Sequence, residues 1–336
     1  MRTEIIRIDS KNIDAKKMAV AADAIRSDGI VVFPTETVYG LGGNAYSDVA
    51  SRKIFAAKGR PADNPLIVHI AGVEDIFGVI SADQKIPIER ISKIWPAPLS
   101  IMLKKNNLVS SVCTAGLETV VVRCPDNPIA RELIRLSGVP IAAPSANLAG
   151  EPSIVDAADA INDLDGKVDV IIEGEPPKYG LESTIIDMTS RPYRLMRPGA
   201  FTLEDLEYAF GQIIVEHIVG EVKIPLTPGM KYRHYSPKKV LYRTGPDNLV
   251  ELSKTEEGDK YAFLCSEETG RNVQGYKIII GKRSDPYTIA HNLFRSFREL
   301  DRSGKSMGII ETFPENGIGL AIMNRIMKAS IPLQLK

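Results

Sequence analysis

Three short stretches carry residues able to bind anions: Lys58-Gly59-Arg60-Pro61, Ser145-Ala146-Asn147 and Arg197-Pro198-Gly199. Each sets a cation, or a small hydroxyl or amide side chain, in a tight turn beside Gly or Pro. Lys58 and Arg60 lie two apart at the end of a helical pattern, so both charges can converge on one anion. A fixed turn with two cations suits a polyphosphate. A charged helix end stopped by Pro61 would read the same way in isolation, and it is the recurrence of such turns in one half of the chain that points to a nucleotide site.

A second group of residues follows the ends of apolar runs. Pro34-Thr35-Glu36-Thr37-Val38-Tyr39-Gly40-Leu41-Gly42 places hydroxyls, a carboxylate and a phenol after the run 30–33. Loops after strand ends are where open α/β sheets bind ligands, although a Thr there can also cap a turn. Asp63-Asn64-Pro65 leads into an apolar run bearing His69. Arg123 closes the run Val120-Val121-Val122, and a guanidinium at a buried strand end needs an anion. Glu118 could supply it; a ligand carboxylate is the other candidate. Ala143-Pro144-Ser145 follows a strand and Glu182-Ser183-Thr184 precedes one. No Ser-His-Asp order, no cysteine next to a histidine and no carboxylate dyad appears. The chemistry is therefore expected to rest on positioning and charge neutralisation, not covalent attack.

The elements that must hold these residues fall into two sets. To about residue 210 the pattern gives strands at 29–33, 66–70, 99–103, 119–123, 139–142, 168–172, 184–187 and 193–196, with helices at 15–27, 48–57 and 127–136. Many strands against few helices predict α/β architecture with a large, twisted, mixed sheet and surrounding helices. Residues 211–238 are broken by Pro225, Pro228, Gly229 and Pro237 and read as an interdomain linker. Beyond them, strands at 240–242, 261–264, 277–280 and 307–310 alternate with helices at 246–253, 286–302 and 318–329. That alternation predicts a small doubly wound, Rossmann-like domain over 239–336.

Composition sets the bounds. The chain has 336 residues, 44% hydrophobic and 25% charged, with 42 basic and 42 acidic side chains. That is ordinary for a globular protein, and the neutral balance argues against a dedicated nucleic-acid binder. Three cysteines without a paired spacing and four scattered histidines exclude a cysteine-rich zinc module. The first residues lead into a strand-like run and not a signal peptide, and no apolar run has membrane-spanning length. A cytoplasmic location is expected.

Two motifs mislead. Gly40-Leu41-Gly42-Gly43-Asn44-Ala45 fits G-x-G-x-x-A, but it lacks the immediate strand-to-helix turn of a dinucleotide site. Ser303-Gly304-Lys305-Ser306 ends like a P-loop, yet Glu299 stands where the first Gly is needed.

The motifs quoted above, with Asn64-Pro65-Leu66 and Ser183-Thr184, resemble in order the YrdC-like family across about residues 10–205. Tyr232-Arg233-His234-Tyr235-Ser236-Pro237 and the C-terminal domain are similar to its long, two-domain form. The resemblance implies a catalytic domain at 1–210 that makes threonylcarbamoyl-AMP and pyrophosphate from L-threonine, bicarbonate and ATP. A separate transferase would then modify tRNA; direct contact of this chain with tRNA is left open, and no membrane role is implied. Lys58 and Arg60 would act on the phosphates, with Mg²⁺ accompanying ATP and no organic cofactor. Asn64, Thr119, Ser145, Asn147, Ser153 and Arg197 would hold the nucleotide, joined by Tyr232, His234 and Tyr235 if residues 226–237 fold over the cleft as a lid. Thr35, His69, Arg123, Ala143 and Ser183 would line the threonine pocket. Two other classes stay open: an RNA-binding module with a basic concave face, and a carbamoyltransferase of hydrogenase maturation, which would also need an acylphosphatase-like domain and paired-cysteine zinc sites.

Overall fold

The computed structural model describes residues 2–215 and 235–334, which form two compact units. The first holds 2–149, 154–178 and 182–215; the second holds 150–153, 179–181 and 235–334. The sequence boundary expected within 211–238 therefore falls mostly outside the described residues.

The first unit is built on eleven strands: β1 (Glu4–Arg7), β2 (Val31–Phe33), β3 (Gly40–Asn44), β4 (Ile67–His69), β5 (Leu99–Lys104), β6 (Thr119–Arg123), β7 (Ile141–Ala143), β8 (Val170–Glu173), β9 (Thr184–Asp187), β10 (Tyr193–Arg197) and β11 (Ile213–Val215). They form one mixed sheet in the order β1-β8-β2-β3-β7-β4-β6-β5-β9-β10-β11. This is the large mixed sheet expected from the sequence. Six helices accompany it: α1 (Ala15–Arg26), α2 (Asp48–Lys58), α3 (Ile88–Ile94), α4 (Pro128–Ser137), α5 (Ala157–Leu164) and α6 (Leu203–Phe210).

Helices α1 and α4 show why one part of the sheet is covered. Asp14 caps α1 by accepting the Lys16 and Lys17 amides, and its buried stripe is Met18, Ala21, Ala22 and Ile25. Asn127 caps α4, Pro128 opens it, and Gly138 closes it in the left-handed conformation; Ile129, Ala130, Leu133 and Ile134 are its buried face. Both stripes pack with Val31, Phe33, Ile141, Ala143, Val170 and Ile172 into one core cluster. Cross-strand partners share a face and side chains alternate along each strand. Ile67 pairs with Ala143 and His69 with Ile141, so β4 continues this face beyond the helices. There Ile67, Met102, Val121 and Ile185 form a separate, smaller cluster.

The segment 40–44 is the strand β3, antiparallel to β2, which settles the G-x-G pattern. An ideal Cβ on Gly42 would lie 2.5 Å from Ile141 Cγ2 and 2.7 Å from Phe33 Cε1. The glycines make room for the Phe33 ring, not for a pyrophosphate. The sequence pattern also missed α3, α5, α6 and β11. The last of these, within the expected linker, pairs parallel with β10.

The second unit contains β12 (Val240–Thr244), β13 (Tyr261–Ser266), β14 (Lys277–Gly281), β15 (Met307–Glu311) and β16 (Ile331–Pro332), with α7 (Pro246–Ser253), α8 (Glu267–Gly270), α9 (Pro286–Arg302) and α10 (Gly319–Ala329). Its strands run in the order β14-β13-β15-β12-β16, every pairing parallel. This is the doubly wound arrangement that the alternating pattern predicted. Ser303 is the C-cap of α9, and the Lys305 ammonium donates to Asp259 O at 2.6 Å, so the P-loop-like run is a helix end.

Gly42→Ala should lower unfolding free energy by about 1–3 kcal/mol in urea denaturation, because the methyl overpacks a filled site. No loss would mean that Phe33 and Ile141 can retreat from it.

Candidate active site

Lys58 is the last residue of α2. Gly59 follows in the left-handed conformation (φ 61°), its amide donating to Ala56 O while the Arg60 amide donates to Phe55 O. This reversal sends both cations out of the helix end. The Lys58 ammonium is buried and donates to the backbone carbonyls of Ser145 and Asn147. An ammonium has three donors, and among the described residues these two carbonyls are its recorded acceptors. Burial, and then the neighbouring Arg60 charge, hold the Lys58 amine well below its ordinary pKa. The Arg60 Nη2 donates to Asn64 O at 2.9 Å, and the guanidinium lies 5.9 Å from the Phe55 ring centroid. Asn64 is fully buried, and neither amide atom has a hydrogen-bond partner among the described residues. Buried polar groups are normally satisfied, so this amide is arranged for something else.

The second cluster lies across the ends of β4, β5, β6 and β9. Arg123 pairs in register with His69 on β4 and Ser100 on β5. Its anion is Glu36: Nη2 stands 2.6 Å from Oε1, with the side chains 4% and 2% exposed. The sequence had offered Glu118, but that exposed residue precedes β6, and five extended residues span about 16 Å. The contact is close but not aimed as a directed hydrogen bond. Arg123 Nε and Nη2 and both Glu36 oxygens have no hydrogen-bond partner among the described residues.

Around this pair the side chains are held by one another. The Thr35 hydroxyl donates to Val38 O at 2.6 Å and accepts the Thr37 and Val38 amides at 3.2 and 3.3 Å, fixing the loop that carries Glu36. His69 packs edge-on to Phe33 at 6.2 Å, with Nδ1 3.1 Å from Ile67 O. Burial and the Arg123 charge push its pKa down to about 3, so it is neutral. The Ser183 and Ser100 hydroxyls are 2.7 Å apart. Arg197 donates to Ser183 O at 3.0 Å and to its Oγ at 3.2 Å, so these two residues form one unit. Ala143 is buried beside Ile67.

Thr119 is at the opposite end of β6 from Arg123, about 13 Å along the strand, near the start of β4, where Ile67 pairs with Val121 three residues after Asn64. Ser153 groups with the second unit, as does Tyr235. The Tyr235 ring stacks on Phe294 at 5.4 Å, and the Arg325 guanidinium lies 5.4 Å from its centroid. Tyr232 and His234 lie outside the described residues, as does most of the segment expected to form a lid. Among the described residues no group of three or more His, Cys, Asp or Glu is placed to hold a metal. Burial pushes the thiols of Cys113, Cys124 and Cys265 up to about 12, so none is a ready nucleophile. Sequence reasoning quoted Glu36 without assigning it to the site and passed over Ser100. Only the pairing of β5 with β6 and the fold of loop 34–38 reveal them.

Comparison with known proteins gives the family. The family described as "Telomere recombination" matches residues 23–199, and "Threonylcarbamoyl-AMP synthase, C-terminal domain" matches residues 201–330. The threonylcarbamoyl-AMP synthase of Pyrococcus abyssi is 42% identical, covering 98% of each chain. The chain belongs to the Sua5/YrdC family. The Bacillus subtilis synthase is 41% identical over 96% of this chain and 95% of its own. The crystal structure of P. abyssi Sua5 complexed with L-threonine matches with a TM-score of 0.90 at 41% identity, covering 99% of this chain and all of that one.

A histidine buried in its neutral form ties stability to pH. His69 has a pKa of about 3 in the folded protein against about 6.5 when unfolded. The unfolded chain therefore binds the proton first, and stability falls as pH drops from 6.5 towards 3. The slope from this residue is about 1.4 kcal/mol per pH unit. Urea denaturation at pH 6.5 and 5.5 should show a smaller loss in His69→Gln than in the parent. Equal losses would mean that His69 titrates normally.

Proposed function

We propose that this chain is an L-threonylcarbamoyladenylate synthase, joining L-threonine, bicarbonate and ATP into threonylcarbamoyl-AMP with release of pyrophosphate. The observation that carries the assignment of roles is the pair of buried, unsatisfied groups. Asn64 lies in the loop that Arg60 holds, and Arg123 lies at a strand end beside His69 and Ser100, with Glu36 against its Nη2; Thr35, Ala143 and Ser183 would complete the threonine pocket. A guanidinium whose Nε and Nη2 have no hydrogen-bond partner among the described residues fits a carboxylate. An amide beside two cations fits a polyphosphate.

The chemistry needs no protein nucleophile. The threonine amine and bicarbonate give a carbamate, whose oxygen attacks the α-phosphorus of ATP as pyrophosphate leaves. The protein must bring two anions together and stabilise the charge that develops. Lys58 and Arg60 would bind the phosphates, with Asn64, Thr119, Ser145, Asn147 and Ser153 around the nucleotide. Arg197, fixed to Ser183, would stand where the two substrates meet. Mg²⁺ would arrive with ATP on the phosphate oxygens. Tyr232, His234 and Tyr235 would close over the nucleotide. No described helix is long and apolar enough to cross a membrane. We place the enzyme in the cytoplasm, where its product would pass to a transferase that modifies tRNA.

Arg123→Ala should weaken threonine by about 2–5 kcal/mol and ATP far less, since it strands a buried charge partner. Lys58→Ala should show the reverse bias, by calorimetry with each ligand separately. An equal loss of both ligands from Arg123→Ala would make Arg123 structural. Pyrophosphate release should require both threonine and bicarbonate. ATP turnover to ADP and phosphate at an unchanged rate without threonine would contradict the synthase reading.

A further inference from the structure

We propose that Glu36 receives the threonine ammonium and accepts its proton before the carbamate forms. This rests on the synthase reading above. The carboxylate is 2% exposed, fixed by the Thr35 turn, and 2.6 Å from Arg123, yet neither oxygen has a hydrogen-bond partner among the described residues. Leaving a buried carboxylate this poorly satisfied is costly.

The charge count explains the arrangement. Arg123 and Glu36 form a neutral pair, and an α-amino acid zwitterion is also a neutral pair, with both charged groups on one carbon. A ligand carboxylate on Arg123 Nε and Nη2 shares the guanidinium that otherwise serves Glu36 alone. Glu36 then needs a second cation, and the ammonium attached to the same carbon supplies it. The four charges alternate: Glu36, ammonium, ligand carboxylate, Arg123. A 2-hydroxy acid with the same side chain would offer the carboxylate but not the second cation.

The same contact prepares the amine. An ammonium has no lone pair and cannot attack carbon. Transfer of one proton turns R–NH₃⁺ and Glu36–COO⁻ into R–NH₂ and Glu36–COOH. The nitrogen lone pair then forms the N–C bond to bicarbonate, giving R–NH–COO⁻ and water. The charged and titratable groups recorded around Glu36 are Arg123 on β6, Cys124 beyond it, and His69 on β4 beside Arg123. Burial holds His69 down to about 3 and Cys124 up to about 12, so neither changes charge between pH 6 and 8.

Calorimetry with L-threonine and with 2,3-dihydroxybutanoate, its 2-hydroxy analogue, tests the contact. The parent enzyme should prefer threonine by about tenfold or more, as a buried charge-assisted contact implies. Glu36→Gln should lose that preference while binding the hydroxy acid as the parent does, and Glu36→Asp should retain part of it. At saturating threonine, pyrophosphate release by Glu36→Gln should rise about tenfold per pH unit below the α-amino pKa, following the free amine. The parent should be flatter. If the parent binds both acids equally, or if Glu36→Gln weakens both equally, Glu36 only props Arg123 and the proposal is overturned. A parent with no affinity for threonine would overturn the synthase reading as well.

Discussion

A charge pair sealed from water governs this site. Arg123 and Glu36 lie at a strand end and in a loop far apart in sequence, and each loses its hydration when the sheet and loop close. Removing one member of such a pair typically costs about 3–5 kcal/mol, because the other is left buried and alone. The pair also holds back hydrogen-bonding capacity on both sides. Its neighbours keep it in that condition. His69 adds no positive charge because burial keeps it neutral. The Thr35 hydroxyl spends itself on its own turn, so the loop, not a further donor to Glu36, fixes the carboxylate.

The Lys58 and Arg60 cluster follows a different rule. Its cations come from a helix end, where Gly59 reverses the chain, and the Lys58 ammonium ties that end to the carbonyls of Ser145 and Asn147. One cation thus serves the loop and, in the proposed reaction, the ligand. The sheet connects the two clusters: β7 leads into Ser145, and its neighbour β4 ends at His69 beside Arg123. The α1 and α4 layer covers the other half of this face, leaving the stretch around Ile67, Met102, Val121 and Ile185 as a small apolar floor.

Much of this was legible in the sequence. Long periodic segments such as α1 and α9 carry capped, amphipathic patterns, and the buried strands at 99–104 and 119–123 carry the apolar runs 101–103 and 120–122. Lys58, Arg60 and Arg123 were singled out because cations beside turns and strand ends need anions. The glycine-rich β3 carried no side-chain pattern of its own, since its glycines exist to fit Phe33 and Ile141. The short helices α3, α5 and α6 are set by packing more than by period. Glu36 as the partner of Arg123 could not be read, because ion pairing across 87 residues is decided by sheet order and not by spacing. Glu118 was nearer in sequence and farther in space.

The most direct test is a double-mutant cycle on unfolding free energy with Glu36→Gln and Arg123→Met, each measured in urea with and without L-threonine. If the pair is a buried, ligand-seeking unit, removing both residues costs less than the two single losses added together. Threonine then stabilises the parent but neither variant that lacks Arg123. Additive losses, or equal stabilisation of the Arg123→Met variant by threonine, would contradict the account.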